Sequence, residues 1–312
     1  MKKEFVYTSR DGATGIHAIE WVPEGEIRAV VQIVHGMVEF IDRYDRFAQY
    51  LMKQGYCVVG NDHLGHGKSV IDKDAYGYFA QPKGNECVVS DIRHLHRRTM
   101  EKYPGVPYFM LGHSMGSFLT RQYITLFGAE LDGAIIMGTG SQPKPVLKMG
   151  KALAWAYAKR YGWHYRSKVI NNMALGSNNK PFEPARTPCD WLSRDEAIVD
   201  AYLKNPLNTF MFTVNGYYEM FRGIEWAENR VYMRKIPRDL PILLVSGQDD
   251  PVGGMGKGVE KVYAQLRSCG ITDLQMKLYP GARHEILNEI DHEVTDADLL
   301  NWLEAHLGKE ET

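Results

Sequence analysis

Six short apolar runs, separated by stretches with helical spacing, constrain the fold of this chain more than any other feature. Each run is four to six residues long and is bounded by turn-forming residues. Continuous apolar runs of this length indicate strands buried on both faces, as in a parallel sheet covered by helices. The alternation therefore predicts an α/β fold with a mostly parallel central sheet flanked by helices. The runs are residues 29–34, 56–59, 108–111, 133–137, 241–245 and 274–278.

The alternation of strands and helices fails in two places. Near the N-terminus, residues 5–9 and 16–21 flank an Arg10-Asp11-Gly12 turn, which predicts an antiparallel hairpin at one edge of the sheet. Between residues 140 and 238 the pattern is mostly helical and rich in Trp and Tyr, with no run that indicates a strand. We expect residues 1–139 and 239–312 to form the core, and residues 140–238 to form an inserted helical cap.

Composition excludes several classes of protein. A chain of 312 residues with 44% apolar residues can bury a substantial core. The formal net charge of -1 argues against a nucleic-acid partner, because phosphate recognition usually needs a surplus of basic residues. No apolar leader follows Met1, no run is long enough to span a bilayer, and the four cysteines show no C-x-x-C spacing. We therefore expect a cytoplasmic protein with reduced cysteines.

The segment Gly112-His113-Ser114-Met115-Gly116 lies between a predicted strand and a predicted helix. This is the setting of a strained turn that exposes a nucleophilic serine. Side chains two positions before and after that serine would collide with the turn, and glycine at both positions removes the clashes. A serine hydroxyl becomes a good nucleophile when a base takes its proton and an anion orients the base. Ser114 is therefore the candidate nucleophile.

The candidate anion follows the predicted strand at residues 241–245. Polar groups at the carboxyl ends of parallel strands meet at one edge of the sheet, where α/β folds place their active sites. Two carboxylates, Asp249 and Asp250, lie at this strand end. We favour Asp250, because Pro251 stiffens the turn immediately after it. Asp249 remains the alternative.

The candidate base is chosen from the three histidines that follow Asp250 in the chain. His284 occupies a loop directly after the last predicted strand, whereas His292 lies in an acidic stretch and His306 lies in a predicted terminal helix. In this type of fold the order along the chain is serine, then acid, then histidine. His284 therefore fits the position of the general base.

A tetrahedral intermediate also needs hydrogen-bond donors for its oxyanion, each typically contributing about 3–4 kcal/mol to the transition state. One predicted donor is the backbone N–H of Met115, the residue after the nucleophile. The other is the backbone N–H of Met37, in the loop His35-Gly36-Met37 after the first run. His63 and His66 have no third ligand at a matching spacing, so we predict chemistry without a metal.

Taken together, these motifs resemble the monoacylglycerol lipase and lysophospholipase group of the α/β-hydrolase superfamily. The segment 62–69, Asp-His-Leu-Gly-His-Gly-Lys-Ser, is more particular to this group than the serine turn, and the resemblance includes residues 39–44 and 190–195. It implies an α/β-hydrolase fold and carboxylic-ester hydrolysis through an acyl-serine intermediate, without a cofactor. By the same resemblance, the triad and oxyanion positions match Ser114, Asp250, His284, Met37 and Met115.

The resemblance implies that the cap selects the substrate. We expect a small-molecule monoacyl ester, such as a monoacylglycerol or lysophospholipid, and expect a shortened cap to spare slow acetate hydrolysis. A serine aminopeptidase of the same fold is the alternative, and it would need a cap carboxylate to hold the substrate amine. A non-catalytic small-molecule-binding protein is a third hypothesis, which the complete set of catalytic motifs disfavours. The candidate cap carboxylates are Glu183, Glu219, Glu225 and Glu228.

The first predicted cap helix has two distinct faces when wound at about 100° per residue. A basic face with an embedded Trp suits an anionic lipid surface, although a charged helix face is more often simply solvated. We therefore name peripheral contact with a lipid surface as a hypothesis for the cap. The basic face contains Lys144, Lys148, Lys151 and Lys159 around Trp155, and the opposite, apolar face contains Val146, Met149, Leu153 and Tyr157.

Overall fold

The computed structural model describes residues 1–307, and within them eight strands form one sheet. The strands are β1 (Lys2–Thr8), β2 (Gly15–Trp21), β3 (Ala29–Val34), β4 (Tyr56–Asn61), β5 (Tyr108–His113), β6 (Gly133–Met137), β7 (Ile242–Gly247) and β8 (Leu274–Tyr279). The α-helices in the same range are α1 (Asp45–Lys53), α2 (Gly84–Lys102), α3 (Met115–Phe127), α4 (Lys144–Tyr161), α5 (Lys168–Leu175), α6 (Glu196–Lys204), α7 (Val214–Ala227), α8 (Arg230–Met233), α9 (Lys257–Ser268) and α10 (His292–Ala305).

The strands are arranged in the order β1-β2-β4-β3-β5-β6-β7-β8. Strands β3 to β8 pair in parallel, whereas β1 pairs with β2, and β2 with β4, in antiparallel fashion. The prediction of a mostly parallel sheet with an antiparallel N-terminal hairpin at its edge is therefore confirmed. Each of the six predicted apolar runs corresponds to one of the parallel strands.

Helices cover both faces of the sheet, and this explains why its strands are apolar throughout. Side chains that alternate along β3, β5 and β6 pack against α2, α3 and α9 on one face. The intervening side chains pack against α1 and α10 on the other face. Because successive side chains of a strand point to opposite faces, both sets must be apolar to remain buried.

The carboxyl ends of the parallel strands lie at one edge of the sheet, and every predicted site residue follows one of them. The loop at residues 35–37 follows β3, and Ser114 follows β5. Asp250 lies in the turn after β7, and His284 lies in the loop after β8. The topology therefore brings the predicted site residues together at one edge of the sheet. The most distant of them, Met37 and His284, are 247 residues apart in sequence.

Helices α4 to α8 lie between β6 and β7, and no strand occurs in this stretch of the described residues. Helix α7 packs on α2 and α3, and α4 packs on α7. The division into a core and a cap at residues 140–238 stays a prediction, and its C-terminal residues 308–312 lie outside the described chain. Across residues 1–307 no helix is both long and apolar enough to cross a membrane.

The packing face of α4 differs from the apolar face that helical spacing predicts. The helix is buried along a narrow stripe that lets it approach α7 closely, and a Cβ at Gly150 would lie 2.7 Å from the Phe221 ring. Of the predicted apolar face, Val146 and Met149 are exposed. Close packing of two helices favours small side chains over large apolar ones. Helical spacing alone therefore did not identify the face of α4 that contacts α7. The buried stripe is Leu147, Gly150, Ala154 and Ala158.

Asp91 of α2 forms hydrogen bonds with the N-terminal hairpin. Its carboxylate accepts hydrogen bonds from Ser9 Oγ (2.7 Å) and from the backbone N–H of Arg10 (2.7 Å). The Tyr7 hydroxyl donates to the Asp91 backbone carbonyl (2.9 Å). Burial raises the pKa of Asp91 to about 7, against the opposing effect of the two hydrogen bonds to its carboxylate.

Replacing Asp91 by Asn should remove part of the pH dependence of stability. A carboxyl whose pKa is higher in the folded than in the unfolded chain stabilises the fold while protonated, and this contribution is lost as pH rises towards about 7. The loss is about 1.4 kcal/mol per pH unit between roughly pH 4 and 7. Urea denaturation measures the free energy of unfolding. Relative to wild type, that free energy should rise for Asp91→Asn by about 2–3 kcal/mol between pH 5 and pH 7. A difference that stays constant with pH would contradict this assignment.

Candidate active site

Ser114 occupies the strained turn that its flanking glycines predicted. It has a φ of 54° and caps the N-terminus of α3, a conformation that non-glycine residues rarely adopt. A Cβ at Gly112 would lie 2.2 Å from Thr120 Oγ1, and one at Gly116 would lie 1.9 Å from the Val34 carbonyl oxygen. Both positions therefore require glycine for α3 to begin this close to the ends of β3 and β5.

His284 and Asp250 form a buried hydrogen-bonded pair. The distance from His284 Nδ1 to Asp250 Oδ2 is 2.9 Å. The Val252 N–H donates to Asp250 Oδ1 (2.8 Å) and Ser246 Oγ donates to Oδ2 (3.1 Å). Burial by itself would raise the pKa of Asp250, but the adjacent His284 imidazole and these hydrogen bonds lower it below the ordinary value. Asp250 is therefore held as an anion on the Nδ1 side of the ring.

The other candidates for the acid and the base lie elsewhere. Asp249 is half-exposed, and its backbone N–H donates to the carbonyl of Ala282. His292 bonds within its own helix, to Asp296 (3.2 Å). His306 bonds the side chain of Asp273 (3.1 Å), which lies at the amino end of β8, whereas the site residues follow the carboxyl ends of the strands. Geometry thus brings Asp250, and not Asp249, to the imidazole of His284.

Ser114 and His284 line one cavity of about 280 Å³. Met37 and Met115 line the same cavity, so four of the five predicted site residues meet there, with Asp250 behind His284. A Cβ at Gly36 would lie 2.9 Å from Ser114 Cβ, which places the loop before Met37 directly against the nucleophile. Met115 is the first residue of α3, where backbone N–H groups have no partner within the helix.

The walls of the cavity are mainly apolar and come largely from the segment between β6 and β7. A few polar side chains, among them Asn178, Tyr202 and Gln142, interrupt the apolar lining. A cavity of this kind suits a ligand with a long apolar part and a smaller polar part. The apolar residues that the segment contributes are Val146, Leu147, Met173, Ala174, Leu175, Trp191, Leu192, Met220, Phe221 and Ile224.

Glu39 is a functional candidate that the sequence patterns did not single out. Its buried carboxylate accepts hydrogen bonds from the backbone N–H of Gly36, from the Tyr44 hydroxyl (3.0 Å) and from His113 Nδ1 (3.1 Å). Burial by itself would lower the pKa of His113, but the hydrogen bond and charge of Glu39 raise it. His113 Nε2 in turn faces the backbone carbonyl of His284 (3.3 Å). Glu39 thus connects the Met37 loop, the serine turn and the histidine loop.

Sequence reasoning could not assign this role. Glu39 and His113 are 74 positions apart, and no spacing rule connects a carboxylate after one strand with a histidine at the end of another. The sequence signals were the position of Glu39 just after the predicted oxyanion loop and its place in the segment 39–44, which the family resemblance includes. His113 itself is a hydrogen-bonding neighbour within the serine turn, since its ring bonds Glu39 and faces the backbone carbonyl of His284.

Both carboxylates that line the cavity, Glu39 and Glu285, are paired with Arg43. Its guanidinium donates to both oxygens of Glu285 (2.8 and 2.7 Å) and to Glu39 Oε2 (3.0 Å). Burial would raise the pKa of Glu285, but the Arg43 charge and its hydrogen bonds lower it. The two carboxylates are therefore ionised, and their charges are already matched by protein groups.

His63 and His66 pack with His35 beneath the Met37 loop. The ring centroid of His35 lies 4.0 Å from the ring centroid of His63 and 5.3 Å from that of His66. Burial lowers the pKa of His63 to about 4 and that of His66 to about 3, so all three rings are neutral near pH 7. Among residues 1–307 no three His, Cys, Asp or Glu side chains are arranged to hold a metal ion.

Comparison with known proteins places the chain in a family. The family model described as serine aminopeptidase, S33, matches residues 25–291. A monoglyceride lipase of Rattus norvegicus is 30% identical over 88% of this chain and 83% of its own length. A monoacylglycerol lipase of Mycolicibacterium smegmatis is 28% identical over 92% of each chain.

A solved structure gives the same result. The carboxyl esterase of Bacillus coagulans, crystallised in complex with glycerol, superposes with a TM-score of 0.92 at 29% identity, covering 98% of this chain and 99% of the esterase. The TM-score shows that the two chains share one fold. The chain therefore belongs to this family of α/β-hydrolases, in the group that resembles the monoacylglycerol lipases, and it is a hydrolytic enzyme.

Proposed function

We propose that this enzyme hydrolyses small-molecule monoacyl esters, such as monoacylglycerols or lysophospholipids, through a covalent ester on Ser114. The observation that carries the proposal is the cavity that joins Ser114 and His284 to a largely apolar wall. A single acyl chain would occupy the apolar part, and its ester carbonyl would lie at Ser114. The names of the relatives, monoglyceride lipase and carboxyl esterase, support this substrate class.

The reaction would proceed in two stages. Ser114 Oγ attacks the carbonyl carbon while His284 Nε2 takes its proton, and the tetrahedral oxyanion accepts hydrogen bonds from the N–H groups of Met37 and Met115. His284 then protonates the departing alcohol, which leaves the acyl group on Ser114. A water that loses its proton to His284 attacks this ester and releases the acid. Asp250, bonded to Nδ1, keeps Nε2 free to accept a proton and stabilises the imidazolium.

The polar side chains of the cavity favour a substrate with a hydroxyl-bearing head group. Asn178 and Gln142 supply uncharged donors and acceptors on a wall that is mainly apolar, and Tyr202, whose hydroxyl donates to the Val38 carbonyl (3.1 Å), adds an acceptor. Such groups suit the hydroxyls of a glycerol moiety, since buried polar groups of a site are stabilised when the ligand pairs with them. The glycerol bound by the carboxyl esterase of Bacillus coagulans supports the same assignment.

The aminopeptidase hypothesis lacks the free carboxylate that a substrate ammonium requires. None of the four cap carboxylates lines the cavity. Glu183 is exposed, and the other three are each bound to a basic side chain of the protein. Glu39 and Glu285, which do line the cavity, are already paired with Arg43. The pairs of the cap carboxylates are Glu219 with Arg222, Glu225 with Lys151, and Glu228 with Arg121.

Esters should therefore be hydrolysed far better than aminoacyl substrates. We expect kcat/KM for p-nitrophenyl octanoate to exceed that for leucine p-nitroanilide by at least about 10³, because a buried ammonium without a counter-charge costs several kcal/mol. Steady-state assays on purified enzyme at pH 8 measure the ratio, and p-nitrophenyl acetate serves as the reference for intrinsic reactivity. Preferred cleavage of the anilide would instead favour the peptidase.

We also propose that α4 contacts anionic lipid surfaces, where such substrates accumulate. Trp155 is 51% exposed, and the Lys159 ammonium lies 5.4 Å from its ring centroid. Lys148, on the same helix face, is also exposed. Lys151, a member of the predicted basic face, is half-buried against Glu225 and does not belong to this surface. A basic face with an exposed Trp is the composition that binds anionic interfaces.

Vesicle binding tests this surface. The enzyme should co-sediment with phosphatidylcholine vesicles that contain phosphatidylglycerol, and a Lys148→Glu/Lys159→Glu double variant should lose most of that binding. The matched control is Lys257→Glu/Lys261→Glu, which makes the same charge change on two exposed lysines of α9. Equal losses in both variants would point to net charge alone and would refute a specific face.

A further inference from the structure

We propose that a short segment between β6 and β7, residues 190–194, positions the loop that contains His284. We call this segment the strap. The inference depends on the proposed role of His284 as the base, and adds a positioning element that the triad does not include. It rests on hydrogen bonds of the backbone, on two arginines and on one aromatic contact.

The backbone of the strap pairs directly with the histidine loop. The N–H of His284 donates to the carbonyl of Trp191 (3.3 Å), and the N–H of Glu285 donates to the carbonyl of Leu192 (2.7 Å). Ser193 Oγ donates to the carbonyl of Asn288 (2.8 Å). These bonds hold the main chain on both sides of the His284 Cα. The bond to Asp250 constrains the ring alone.

Two arginines make further contacts between the strap and the loop that contains His284. Arg283 Nη1 donates to the carbonyls of Asp190 (2.5 Å) and Ser193 (3.1 Å), which fixes the residue next to His284 to the strap. Arg194 Nε donates to Glu289 Oε2 (2.9 Å), and the backbone N–H of Arg283 donates to Glu289 Oε1 (2.7 Å). The Glu289 side chain is 1% exposed, so this carboxylate is a buried link between the strap and the loop.

The strap also forms part of the substrate cavity. The Trp191 ring lies 5.0 Å from the His284 ring, centroid to centroid, and Trp191 and Leu192 line the cavity beside Ser114. One short segment therefore touches both the substrate space and the base. A shift of the segment would move His284 relative to Ser114, and a displacement of about 1 Å at a catalytic group can cost on the order of 10²-fold in rate.

This arrangement changes what shortening the cap should do. From sequence we expected a shortened cap to spare slow acetate hydrolysis, since acetate needs no acyl pocket. Removal of residues 190–194 would also release the His284 loop, so acetate hydrolysis should fall together with that of longer esters. The cap segment thus contributes to the rate of the chemical step as well as to substrate choice.

Arg194→Ala tests the strap without deleting the segment. The concentration of competent sites is first counted by labelling with a fluorophosphonate probe, and kcat and KM for p-nitrophenyl acetate are then expressed per labelled site. We expect kcat to fall about 10- to 100-fold with KM changed less than about twofold. Arg194→Lys, which retains a cation for Glu289, should recover part of that loss.

Two further variants keep the test decisive. Arg186→Ala is the matched control, because among residues 1–307 the Arg186 side chain bonds Glu196 and Asp200 and no group of the His284 loop. It should leave kcat per labelled site unchanged. Ser193→Ala removes one hydroxyl that bonds the loop and should lower kcat by about 3- to 10-fold even if Arg194→Ala fails to fold.

The outcomes separate this inference from the proposed function. If Arg194→Ala and Ser193→Ala lower only the labelled fraction and leave kcat per site at the wild-type value, the strap is merely structural and the inference is overturned. If the wild-type enzyme neither reacts with the probe at Ser114 nor hydrolyses the acetate, the proposed function fails instead.

Discussion

Ser114→Ala and His284→Ala should each lower kcat for an ester by roughly 10⁶, and the double variant should be little worse than either. The losses are not additive because the serine is nucleophilic only while the imidazole accepts its proton. Assays with p-nitrophenyl octanoate measure the rates, and circular dichroism confirms that each variant is folded. Independent, multiplicative losses would show that the two residues do not act as one unit.

The choice of acid is tested by a matched pair of substitutions. Asp250→Asn should lower kcat by about 10⁴, because an amide at this position cannot hold the required tautomer of His284 or offset its charge. Asp249→Asn, one residue earlier on a half-exposed side chain, should leave kcat within about twofold of wild type. The opposite ranking would transfer the acid role to Asp249.

Acyl-chain length should also have a large effect on kcat/KM. Each methylene moved from water into an apolar site contributes about 0.8 kcal/mol, or roughly fourfold in kcat/KM. The six methylenes from acetate to octanoate could therefore raise kcat/KM by up to about 4 × 10³. A graded series of p-nitrophenyl esters gives the profile, which should level off once the cavity of about 280 Å³ is full. A flat or falling profile would remove the apolar cavity as the acyl site.

Filling the cavity provides a test that does not touch the reacting groups. Ala174 lines the cavity from α5, and Ala174→Phe should lower kcat/KM for octanoate by at least about tenfold while sparing acetate. Ala152→Phe is the matched control, because Ala152 lies on the exposed side of α4 and does not line the cavity. Equal effects of the two substitutions on octanoate would point to a general disturbance of the helices.

The sheet and the position of the serine turn could be predicted from local pattern because their causes are local. A strand buried on both faces must be apolar at every position, and the turn at Ser114 must have glycine at positions 112 and 116 to avoid contacts of about 2 Å or less. Asp250 and His284 could be selected as candidates because the carboxyl ends of parallel strands meet at one edge. The rules for strands and turns need only neighbouring residues, and the choice of Asp250 and His284 adds only the order of the strands along the chain.

The packing of α4 and the assignment of the cap carboxylates could not be predicted in this way. Helical spacing shows which residues share a face, but the neighbour that packs on α4 decides which face is buried, and the small residue Gly150 is needed against Phe221. Likewise Glu219, Glu225 and Glu228 were plausible ligands for an amine until their partners were known. Glu225 and Glu228 are paired with Lys151 and Arg121, to which no sequence rule connects them. Glu219 is paired with Arg222 one helical turn away, a pairing that helical spacing allows but does not establish.

Sequence by itself determined the α/β fold, the nucleophile candidate and the strand ends where its partners lie, because strand burial and turn geometry follow from neighbouring residues. Only the tertiary structure decided that Asp250 bonds His284, that Glu39 links three loops, and that the backbone of the strap bonds the His284 loop. These contacts join residues that are distant in sequence, such as Trp191 and His284. They depend on how whole elements are placed in space, and residue type and spacing along the chain do not contain that information.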